Sequence, residues 1–157
     1  MADPVVYEAI IPYADLEFAE AYMGERVETD NWDVADDNAK LKALKAATRY
    51  IDTLPFVGSK TDWEQKREFP RDGDEEIPYE VAEACCEAAL AMIAGNTLEN
   101  LQATNTKSSE STGDASASYK QGASLLDQND GLISPMVLRL LAEWLDASDS
   151  FKIDRVG

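Results

Sequence analysis

Apolar residues recur at helical spacing in several stretches of this chain, separated by polar or irregular segments. Asp15 stands where a helix N-cap would, and the stretch through Met23 places Phe18, Ala19 and Tyr22 on one side, with Gly24 as the expected stop. A polar connection from Asp30 to Asp37 carries Trp32, an aromatic expected to fold back on the bundle. A second helix is predicted from about Asp37 to Leu54, closed by Pro55. Leu41, Leu44, Thr48 and Ile51 repeat along one face of it, while Lys42, Lys45 and Arg49 line another. Residues 56–76 read as a loop or short extended crossing. Pro78 then suits the first turn of a third helix. From Val81 to Ala94 that helix is apolar almost all round, its alanines interleaved with Leu90, Met92 and Ile93. Small residues on many faces let other helices approach closely, so this is the expected central helix. Gly95-Asn96 is its expected break.

Beyond it the pattern changes. Ser, Thr, Asn, Gly and Asp dominate between Thr104 and Tyr119, leaving almost nothing to bury. Such a length without a core-forming pattern implies a functional arm or disorder. Gly113-Asp114 is a candidate hairpin tip, with Ala115, Ala117 and Tyr119 alternating after it. Ser134-Pro135 opens a last helix whose apolar face holds Val137, Leu138, Leu141, Trp144 and Leu145. The expectation is a mainly α-helical protein: a helical bundle at 1–103, an extended arm or hairpin at 104–130, a packing helix at 131–148 and a docking tail at 149–157. In that tail Phe151, Ile153 and Val156 have no apolar neighbours of their own and are expected to dock on a partner.

Composition narrows the function. The chain has 157 residues, suited to one modest core with an appendage. No apolar run approaches the roughly 18 residues of a membrane span, and no secretion signal opens the chain, so a soluble protein made in a cytoplasm is expected. Histidine is absent, which excludes imidazole acid–base chemistry and His ligation of metals. The cysteines, Cys85 and Cys86, are adjacent in an alanine-rich segment and read as small buried residues. The net charge of −17 is uneven. Residues 38–71 hold eight bases against four acids, whereas residues 72–101 hold eight acids and no base. A basic segment in an acidic chain repels polyanions globally and pairs with acidic protein surface locally.

Candidate chemistry is sparse. Asp72-Gly73-Asp74-Glu75-Glu76 lacks the closing bidentate Glu of a calcium loop and reads as a solvated acidic turn before a helix N-terminus. Asp127 to Gly131 misses the same register and reads as a turn. Lys40, Lys42, Lys45 and Arg49, with Tyr50 and Trp63 nearby, form the elements of a single-stranded nucleic-acid groove. Against that stands the acidity of the rest of the chain, since phosphate neutralisation supplies much of nucleic-acid affinity. There is no nucleophile–base pair, phosphate loop or metal cluster, so neither an enzyme nor a cofactor is expected.

The ordered set Tyr13-Ala-Asp15-Leu-Glu17, Ala21-Tyr22, Trp32, Ala46-Ala-Thr48-Arg-Tyr50-Ile-Asp52, Gly58-x-Lys60, Phe69-Pro-Arg71 and Ile77-Pro78-x-x-Val81 through Ala89 resembles the head–tail adaptor proteins of tailed bacteriophages. Some similar sequences carry a DnaT-like single-stranded-DNA-binding label. Where similar sequences usually have tryptophan before Pro-Arg, Phe69 stands here. The resemblance implies a virion protein at the head–tail interface, with a helical bundle assembled as a dodecameric ring. Its implied partners are the portal protein, a stopper or tail-completion protein, and viral double-stranded DNA passing through the lumen without specific binding. In such a ring Lys42, Lys45 and Arg49 are expected to meet acids of a neighbour, Glu83 and Glu87 among them. Phe151, Ile153 and Val156 are expected at the portal. Single-stranded-DNA binding is the alternative.

Overall fold

A computed structural model describes residues 3–96 and 134–146. The arm at 104–130 and the tail with Phe151, Ile153 and Val156 lie outside the described residues. Among those described, the protein is mainly helical and has no sheet. Its elements are α1 (Leu16–Gly24), α2 (Asp30–Asp33), α3 (Asp37–Asp52), α4 (Tyr79–Ile93) and α5 (Pro135–Leu140).

Local chemistry sets the helix ends. Asp15 accepts a hydrogen bond from the Phe18 N–H at 2.8 Å and starts α1, which closes at Glu25, one residue beyond the expected glycine. Asp36 does the same for α3 through the Ala39 N–H at 2.7 Å. Pro78 occupies the cap position of α4, and Gly95, at φ +105°, follows its end.

The core lies where α3 crosses α4, with α1 and α5 packed on α4. Close approach depends on small side chains: Ala84, Cys85, Cys86, Ala88 and Ala89 of α4 are all fully buried. Burial pushes both thiols up, so the cysteines remain protonated fillers. Facing them, α3 buries Ala43, Leu44, Ala47, Thr48 and Ile51. Leu41 lies at the exposed margin of that stripe. Thr48 is buried yet satisfied: its hydroxyl donates to the Leu44 carbonyl at 3.0 Å and accepts from the Tyr13 N–H at 2.9 Å.

The segment between α3 and α4 is irregular, as its sequence implied, but it is tightly held. The Phe69 ring fills the centre, edge-on to Tyr13, Phe56 and Trp144. It keeps the aromatic plug without any indole bond. Around it, the Tyr13 hydroxyl donates to Asp52 and accepts from the Phe69 N–H at 3.2 Å, while Arg67 donates to Asp52 at 2.7 Å. Arg71 is buried, donating to the Val57 carbonyl and to Glu68. Gly58 has a specific reason to lack a side chain. Its φ is +81°, and a Cβ there would run into the Asp72 carboxylate, which accepts from the Ser59 N–H at 3.0 Å. The acidic turn thus has a structural task at its first residue.

Helix α5 is shorter than its apolar pattern. Val137, Leu138, Leu141 and Trp144 are buried as expected, but the helix ends at Leu140. The chain then turns to pair with the crossing. The Val57 N–H donates to the Trp144 carbonyl at 2.8 Å and the Asp146 N–H to the Pro55 carbonyl at 2.7 Å. Ladder-type bonds replace the last helical turn.

Candidate interaction surfaces

The basic segment is largely consumed by its own chain. Among its eight bases, Lys40, Lys60, Lys66, Arg67 and Arg71 sit in ion pairs with Glu20, Glu68, Glu8, Asp52 and Glu68 respectively. The three outside any ion pair among the described residues are Lys42, Lys45 and Arg49. They follow i, i+3, i+7 spacing, so they form one stripe along α3 with roughly 5–6 Å between neighbouring positions. Lys42 and Arg49 are exposed and Lys45 is half-exposed.

Two residues of the candidate nucleic-acid groove are withdrawn from it. Lys40 is only 7% exposed; its ammonium reaches Glu20 at 2.9 Å and lies 5.3 Å from the centre of the Trp32 ring. Trp32 itself is buried and donates from Nε1 to the same carboxylate at 3.0 Å. The Lys40 bond holds the Glu20 carboxyl below its ordinary range. Tyr50, 5% exposed, belongs to the core. Trp63 remains accessible at 84% exposure, on the crossing rather than on α3. The stripe therefore offers three charges without a stacking aromatic on its own helix.

The acidic side separates Glu83 from Glu87. Glu87 is 3% exposed and cannot present its carboxylate to a neighbour. Arg26 grips it through Nε at 2.7 Å and Nη2 at 3.0 Å, and the Tyr22 hydroxyl donates to it at 2.5 Å. This corrects the expectation that Glu87 is a seam residue: it ties α4 to the end of α1. Glu83, one turn earlier on α4, is half-buried and makes no ion pair among the described residues. It lines a half-open groove of about 330 Å³ with Phe18, Tyr22, Glu25, Arg26 and Tyr79. Phe18 and Tyr79 meet edge to face at 5.2 Å there. Loss of water raises the Glu83 carboxyl above its ordinary value, and the charges of Glu80 and Glu87 raise it further.

The groove was not evident from sequence reasoning, because its aromatic wall joins Phe18 to Tyr79 and its floor joins Arg26 to Glu87. Their separations exceed any helical period. The signal available was the single base among the first 37 residues, Arg26, in a strongly acidic stretch.

A family model described as "Putative DnaT-like ssDNA binding protein" matches residues 8–156. No curated protein and no solved structure matches the chain.

Proposed function

The chain belongs to the family whose model is described as "Putative DnaT-like ssDNA binding protein", and within it we propose an assembly role: an adaptor of a bacteriophage head–tail connector. It would form a ring on the portal protein and continue the DNA channel toward a stopper or tail-completion protein. The observation that carries this reading is charge segregation at the surface. The bases left without internal partners form one stripe on α3, whereas uncompensated carboxylates line the α1–α4 groove. A subunit carrying both surfaces suits head-to-tail association, in which unlike patches meet at every interface. The sequence resemblance to head–tail adaptors supplies the assembly. A chain of net charge −17 also suits a conduit that must let a polyanion slide.

Single-stranded-DNA binding is the second reading, favoured by the family description and by exposed Trp63. Its electrostatic support is modest. Three phosphate contacts on a single strand give a salt slope of only about −2, or roughly a 20-fold affinity change between 50 and 200 mM salt. The two readings separate in one pair of measurements: binding of a labelled single-stranded oligonucleotide at near-physiological salt, and co-sedimentation with the portal protein of the same virus. The adaptor reading expects weak DNA binding and a portal-bound ring. Tight oligonucleotide binding without portal association would overturn it.

A further inference from the structure

We infer that the α1–α4 groove is a socket for Arg49 of a second copy of this chain, with Lys45, one turn earlier on α3, meeting Glu80 at the rim. This deepens the assembly reading and rests on it. The groove's chemistry selects a long cationic side chain. Its base, Arg26, is committed to Glu87 underneath, so Glu25 and Glu83 face the opening without a cation. The walls are the rings of Phe18, Tyr22 and Tyr79. An aliphatic stem packs on such rings, and a guanidinium stacks on them while its N–H groups reach a carboxylate. A purely apolar guest would leave both carboxylates unpaired, and an anion would be repelled.

The second copy follows from complementarity in charge and spacing. Lys45 and Arg49 are four residues apart on α3; Glu80 and Glu83 are three apart on α4, so both pairs present charges one turn apart. These two cations lack ion-pair partners among the described residues and belong to the only segment with a basic excess. Donor stripe and acceptor groove lie on different elements of one subunit. In the ring of the assembly reading the contact is heterologous, each stripe entering the next copy's groove until the ring closes.

Sedimentation of the full chain at low salt tests the socket, alongside incorporation of the same variants into particles. Arg49→Glu and Glu83→Arg should each weaken self-association at least about tenfold, the loss of one well-formed charge pair. The double variant R49E/E83R should recover most of it. Glu83→Gln serves as a milder variant if Glu83→Arg disturbs the fold, and it should weaken association in the same direction. Single variants that associate like the parent, a double variant no better than either single, or a parent chain that stays monomeric would each overturn the socket. The adaptor reading fails separately. If the parent is absent from particles while the charge swap restores association, the socket stands without the adaptor. If R49E and E83R enter particles as well as the parent, the adaptor stands without the socket.

Discussion

Glu83 is a carboxylate whose surroundings oppose its own charge. Its folded-state pKa lies above the ordinary 4.5, because the groove removes water and Glu80 and Glu87 repel the ionised form. A group with a raised folded pKa contributes stability below its unfolded pKa and loses that contribution as pH rises through the folded value. Thermal melts should therefore show Glu83→Gln more stable than the parent near neutral pH, with the gain vanishing below about pH 4.5. The same substitution should weaken association between copies. A residue that disfavours the free subunit and favours its assembly is expected at a binding site rather than in a core. Thr48 gives the opposite case. Thr48→Val keeps its shape but leaves the buried Tyr13 N–H without an acceptor, a cost of about 1–3 kcal/mol measurable by urea unfolding.

At the scale of elements, the helices were legible where local signals and tertiary packing agreed. Asp15 and Pro78 marked their starts, and the period of Leu44, Thr48 and Ile51 marked the buried face of α3. Disagreement is informative at α5. Its apolar spacing continues to Leu145, yet the chain leaves the helix after Leu140 because Trp144 and Asp146 bond to the crossing. No local pattern reveals a partner some 90 residues away. Lys40 is a like case, since a basic residue on a basic helix gives no sign that Glu20 and Trp32 will claim it. The crossing is tied to α3 through Asp52. Asp52, at the C-terminal end of α3, receives the Tyr13 hydroxyl and Arg67. Asp52→Ala should loosen residues 56–76 while the helices persist, seen as faster amide exchange at Glu68 and Phe69 with nearly unchanged far-UV circular dichroism. Comparable loss of protection throughout α4 would mean that the crossing and the bundle unfold as one unit.

At the scale of the molecule, a net charge of −17 acts on folding and assembly with opposite signs. Like charges spread over a small subunit repel one another, and added salt screens that repulsion, so the melting temperature of the free chain should rise as salt increases. The expected rise comes from the acids left outside ion pairs, such as Glu25 and Glu83. A seam built from Lys45 and Arg49 against Glu80 and Glu83 is attractive and partly exposed, so the same salt should weaken it. At 0.15 M the Debye length falls to about 8 Å, only slightly more than the spacing of charges one turn apart on a helix. Differential scanning calorimetry and sedimentation over one salt series should therefore diverge, stability rising while association falls. R49E/E83R carries the same net charge as the parent and should reproduce both trends. Arg49→Glu alone adds two negative charges, so its melting temperature should show a steeper salt dependence while its association is weak throughout. Association that strengthens with salt would instead place an apolar surface at the seam. The exposed rings of Trp63 and Tyr79 would then be the next side chains to replace.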